Sequence, residues 1–186
     1  MPPSTRASLP KRSKLLERCL ASAEDTLRRK LDFEEIRAFA LDGTELARHT
    51  SRHAGAVYIS DEVGERYKDA VVTHNHPNEG VGLSYFDVRT AIDFDWDEIR
   101  AVDAKRQLFT DSLRRPLEGW ENSQVVADAW RAIRQRVEGE LRWFVAAGRM
   151  THEQAAFNQN HEILKRLSAR LDWTYQRTYR REEWDE

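Results

Sequence analysis

A single cysteine, Cys19, is present among the 186 residues. That excludes a disulfide framework and any cysteine-based zinc knuckle, so a transition-metal site would have to come from the 6 histidines and the carboxylates. An excess of charge of one sign is missing as well. Thirty Lys+Arg stand against 32 Asp+Glu, a formal net charge of −2, which by itself points to neither a nucleic-acid nor a membrane partner. The basic bias of residues 6–30 is local and reads as a solvated helix face. No run approaches the ~18 apolar residues of a membrane span. The first ten residues lack the apolar stretch of a secretory signal, so a reducing, cytoplasm-like compartment is the expectation. No internal repeat is present.

The length suits one domain with a helical extension, enough to bury roughly 70% of the unfolded surface. The pattern predicts a disordered start over 1–10 and an amphipathic helix over 12–30, with Leu15, Leu16, Cys19, Leu20, Ala23 and Leu27 near helical spacing. The period then changes. Phe33 to Leu41 reads as a strand, Asp42-Gly43 as a turn and Glu45 to Thr50 as the returning strand. Ala56 to Ser60 and Ala70 to Thr73 read as short strands, with a helical turn between them from Asp61 to Tyr67. Ser84 is a predicted N-cap, with Asp87 three residues on and a helix to about Phe94. Strands are expected over Glu98 to Arg106 and Leu108 to Leu113. Residues 123–146 carry helical spacing, Gly148 fits a C-cap, and Thr151 opens a last helix through Leu171. The expected class is mixed α/β: a sheet flanked by helices, with an N-terminal helix and a C-terminal helical extension. The expected division is 1–30, a metal-binding domain over 31–120, and helices over 121–186.

The informative stretch runs from Val72-Thr73-His74-Asn75-His76-Pro77 to Ser84-Tyr85-Phe86-Asp87. Side chains alternate along a strand, so His74 and His76 share one face. Pro77 ends the strand. Asp87 falls in the first turn of the next helix, where a carboxylate is favoured. Two histidines and a carboxylate are the protein ligands of an open zinc site, with the fourth position left for water. Hydrolysis then needs a general base and a donor for the developing oxyanion. The Ser84 hydroxyl, one helical turn before Asp87, suits the second task. It can equally serve only as a helix cap.

His-x-His, seven residues, Ser, two residues, Asp resembles the JAMM motif of the JAB/MPN metalloprotease family, with no departure in spacing. The His-Asn-His-Pro form is closest to the RadC-like and phage-associated branches. The resemblance implies a mixed sheet flanked by helices, one zinc held by His74, His76 and Asp87, and hydrolysis of a peptide or isopeptide bond. It also implies an upstream glutamate near a strand start that holds the water and shuttles its proton. Counting back eight residues from Asp42 gives Glu34, with Glu35 one position away as the alternative. The two would face opposite sides of a strand, so only one can reach the metal. The motif-bearing core covers about half the chain.

The remaining histidines carry blander readings: His49 and His53 lie in a polar stretch, and His152 and His161 lie on the helical tail. Cys19 reads as inert, and the tryptophans as packing residues, with Trp120 as an alternative aromatic platform for substrate. Two further functions stay open. One is a non-catalytic binding module in a phage or mobile-element assembly, docking a protein partner through the C-terminal helices. The other, weaker, is a nucleic-acid-directed hydrolase, prompted by the RadC-like resemblance and the basic 6–30 segment.

Overall fold

The computed structural model describes residues 11–50, 52, 57–77, 82–104 and 109–179. The predicted disorder of residues 1–10 therefore lies outside the described residues. The described residues form a mixed six-stranded sheet with five helices. In order the elements are α1 (Lys14–Arg28), β1 (Ile36–Phe39), β2 (Glu45–His49), α2 (Asp61–Glu65), β3 (Val71–His76), α3 (Tyr85–Asp93), β4 (Glu98–Asp103), β5 (Phe109–Arg114), α4 (Ser123–Ala146), α5 (His152–Leu171) and β6 (Thr174–Tyr179). The spatial order of the strands is β2-β1-β3-β4-β5-β6. Only β3 and β4 are parallel, joined by the crossover through α3; every other pair is antiparallel.

The two faces of β3 organise the molecule. All six of its residues are buried, as expected of a central strand covered on both sides. Val71 faces α1 and packs with Leu16, Leu20, Ala23 and Phe39. Val72 faces the other way into the larger core, which joins Ile36, Ile99 and Leu113 of the sheet to Val126 and Trp130 of α4 and Leu164 of α5. By alternation, Asn75 lies on the α1 side and His74 and His76 on the side of α3, α4 and α5. Ser13 caps α1, its side chain accepting from the Leu16 N–H. Gly43, at φ +96, supplies the left-handed conformation that closes the β1–β2 hairpin.

Three predicted features change. Residues 57–60 are unpaired chain rather than a strand, and Ala56 lies outside the described residues. The expected strand from Glu98 ends at Asp103. The cap after α4 is Ala147, and Gly148 follows it at φ +67. One strand was not anticipated at all. Asp172 adopts the left-handed conformation after α5, and the reversal sends Thr174–Tyr179 back along β5 as the sheet's last strand. Among the described residues no helix is long and apolar enough to cross a membrane.

Candidate metal centre

β3 ends on its two histidines, and the rings converge. Their Nε2 atoms are 2.9 Å apart, with ring centroids 4.6 Å apart and edge to face. Both side chains are buried. Glu34 arrives from the segment just before β1. β1 runs antiparallel to β3 with Ile36 opposite His74, so the residues just before β1 meet the end of β3. One ligand atom from each of Glu34, His74 and His76 lies within 4.8 Å of the other two, and all three residues are buried. Such a group could hold a metal ion.

Asp87 closes the arrangement from α3. Its Oδ1 is 3.2 Å from the His74 Nε2 and its Oδ2 3.6 Å from the His76 Nε2. The same Oδ2 accepts the Ser84 backbone N–H at 2.6 Å, and the Asp87 N–H donates to the Ser84 Oγ at 3.3 Å. This reciprocal capping box fixes the first turn of α3, and with it the carboxylate. A tetrahedral zinc with ordinary nitrogen and oxygen bonds separates its donor atoms by about 3.3 Å. The spacings of 2.9, 3.2 and 3.6 Å, the last two to different oxygens of Asp87, lie near that value, and the donor types suit such an ion.

The electrostatics point the same way. Burial alone would depress the His74 pKa, but the adjoining Asp87 carboxylate, with Glu34 behind it, outweighs burial and raises it. Burial would raise Asp87, but His74, His76 and the Ser84 N–H hold it far below the usual carboxylate range. A buried carboxylate, Glu34, a half-buried one, Asp87, and two buried imidazoles therefore make a site that favours added positive charge.

The structure also separates the two adjacent glutamates. Glu35 is buried on the opposite face and ion-paired to Lys30, Arg37 and Arg48. These three cations outweigh the cost of burial and lower its pKa. Glu34, by contrast, is in the histidine group.

A cleft of about 900 Å³ opens over the four residues. Ile36, Val57, Ile59, Phe94, Trp96 and Ile99 make part of its apolar lining. Tyr58 and Phe86, which also line it, are 79% and 73% exposed. α4 and α5 contribute Trp130, Arg134, Gln159 and Asn160, and Tyr85 packs on Trp130 with ring centroids 5.4 Å apart. The C-terminal helices are thus a wall of the cleft.

Other sequence candidates fall elsewhere. Trp120 does not line the cleft; it donates to the Trp96 carbonyl at 2.8 Å and packs on Trp173. The His49 ring lies 3.2 Å from the Tyr58 carbonyl, and His53 is outside the described residues. His161 bonds the Tyr175 hydroxyl at 2.8 Å. Cys19 is half-buried against the α1 core. Two supporting residues escaped sequence reading: Thr50, whose hydroxyl donates to the Glu34 carbonyl at 2.8 Å, and Asn75, whose side chain accepts the Glu35 N–H at 2.8 Å. The signal for Asn75 was its place between the two histidines. Comparison of the chain with family models, curated proteins and solved structures finds no match.

Proposed function

We propose that this protein is a zinc-dependent hydrolase of the JAB/MPN type that cleaves a peptide or isopeptide bond in a reducing, cytoplasm-like compartment. The observation that carries this reading is the convergence of Glu34, His74, His76 and Asp87 at the floor of an apolar-walled cleft. In this assignment His74, His76 and Asp87 hold the metal. When bound, zinc supplies Lewis acidity, drawing the pKa of water toward ~7 and polarising a carbonyl oxygen. Glu34 takes a proton from the attacking water and delivers it to the leaving nitrogen as the C–N bond breaks. The Ser84 hydroxyl donates to the carbonyl oxygen as negative charge develops there. Its bond from the Asp87 N–H uses oxygen acceptor capacity and orients the hydroxyl.

Exposed Tyr58 and Phe86 support an extended protein substrate, since large aromatic side chains left bare beside a reactive group are typical of binding surfaces. A second reading, a binding module without turnover in a phage or mobile-element assembly, draws support from Trp143 and Val125, exposed on α4 and available to a protein partner. Metal analysis and peptide cleavage separate the two. The first reading expects about one zinc per chain, removable by chelator, with turnover lost by ~10²–10⁴-fold in Glu34→Gln while zinc is retained. A folded protein that takes up no zinc sinks it. Zinc uptake with no cleavage of any peptide or isopeptide, by wild type and variant alike, favours the second.

A further inference from the structure

Among the groups outside the metal cluster, one side chain is built into the delivery of Glu34. The β1–β3 ladder has its last pair at Ile36 and His74. Continued in register, it would set Glu35 opposite Asn75 and Glu34 opposite His76. The Asn75 side chain takes the place of that continuation. Its Oδ1 accepts the Glu35 N–H at 2.8 Å. Its Nδ2 donates to the Lys30 carbonyl at 2.8 Å and to the Phe33 carbonyl at 3.1 Å. Asn75 is fully buried.

We propose that Asn75 is a positioning residue: its amide wedges the 30–35 segment away from the end of β3 and turns Glu34, not Glu35, onto the histidines. The proposal rests on the metal-centre reading above. Three features argue for it. First, one acceptor and two donors on a single short planar group is what a primary amide supplies; aspartate cannot donate, and a hydroxyl donates once. Second, a side chain between two backbones spaces them more widely than a ladder does, and Asn75 stands beside the position at which a continued ladder would pair Glu34 with His76. Third, the backbone around Glu34 is gripped on several sides. Asn75 holds residues 30, 33 and 35, the Thr50 hydroxyl holds the Glu34 carbonyl, and the Glu35 carboxylate is anchored to three cations on the α1 face. Alternation then leaves Glu34 on the opposite face, with only its side-chain torsions to adjust. A carboxylate that must move protons gains from such fixing, because misplacement by ~1 Å can cost ~10²-fold in rate.

The test uses crystals of metal-free wild type, Asn75→Asp and Asn75→Ala, with zinc uptake measured alongside. Asn75→Asp keeps the size but sets oxygen against two carbonyls. The expected result is a Glu34 carboxylate displaced by more than ~1 Å, with the His74–His76 contact unchanged and zinc still bound. Against a peptide that wild type cleaves, kcat falls ~10²-fold while KM holds. A Glu34 that stays in place overturns the proposal. So does a histidine pair displaced along with it, which would make Asn75 a general support of β3. Should both variants fail to fold, Asn75→Ser, which can donate only once where the amide donates twice, takes their place, and Glu34 unmoved there overturns the proposal as well. Wild type that takes up no zinc refutes the metal-centre reading separately; the carboxylate shift is read without metal and stands or falls on its own.

Discussion

Glu34 and Glu35 are neighbours of identical chemistry, and replacing each with glutamine should give opposite results. Glu35→Gln keeps the shape and removes a buried negative charge that faces Lys30, Arg37 and Arg48. Breaking a buried pair costs about 3–5 kcal/mol. Arg48 is 53% exposed and contributes little, so about 3 kcal/mol is the expectation. For a chain of this size that lowers Tm by about 6–12 °C. The effect has a defined pH dependence. The folded pKa of Glu35 lies below its ordinary value of 4.5. Its stabilisation is therefore complete above about 4.5 and is lost as pH falls through the lower folded value. The gap in Tm between wild type and Glu35→Gln should be widest at neutral pH and should close on acidification below about pH 4.5. Zinc uptake should survive. Glu34→Gln should move Tm by less than half as much and abolish turnover. Thermal melts from pH 3 to 7, with zinc content, read all of this. A gap that stays constant to pH 3, or a folded Glu35→Gln protein unable to take up zinc, would refute the assignment of the two carboxylates.

The far edge of the sheet offers two linked tests. Asp111 and Arg177 form a fully buried bidentate pair at 2.7 and 2.8 Å between β5 and β6. Arg177→Met leaves Asp111 buried and unpaired, at a cost of about 3–5 kcal/mol in denaturant unfolding; a loss under ~1 kcal/mol would show that the pair is relaxed by water. Gly82 lies over the same pair, and a Cβ there would sit 1.6 Å from the Asp111 Oδ2. Gly82→Ala should cost about 1–3 kcal/mol, and less when added to Arg177→Met, because both disturb one pair; full additivity would sink that account.

The elements that sequence reading recovered are those whose signals are local. Helix α1 has its cap and apolar stripe within fifteen residues, and α3 carries its capping box in Ser84 and Asp87. The β1–β2 hairpin announces itself through Asp42-Gly43. β6 did not, because nothing in Thr174–Tyr179 reads as a buried strand: its exposed positions alternate with the better covered Tyr175 and Arg177. What makes it a strand is the ladder with β5 and a charge partner 66 residues earlier in the chain, and distant pairing of that kind leaves no periodic mark. The apolar face of α4 was visible, but that it packs on Val72, Ile99 and the cleft could come only from the folded core.

The candidate site was more legible than the fold around it, for a physical reason. His74 and His76 are two apart on a strand, and Ser84 and Asp87 are three apart at a helix start, so each pair is brought together by local geometry alone. Bringing the pairs to each other needs only the turn after Pro77. Glu34 is the exception. It is forty residues from His74 in sequence, and its choice over Glu35 depends on which face the chain shows as it enters β1. Counting to Asp42 picks out the glutamate that lies in the histidine group, but counting gives no cause. The cause lies in the unequal surroundings of the two carboxylates. Three cations hold Glu35 on the α1 side, the Asn75 amide holds the backbone between them, and the remaining glutamate is left to face the histidines. A sequence with Asn75 or the cations changed could keep every spacing of the motif and still present no carboxylate to its site.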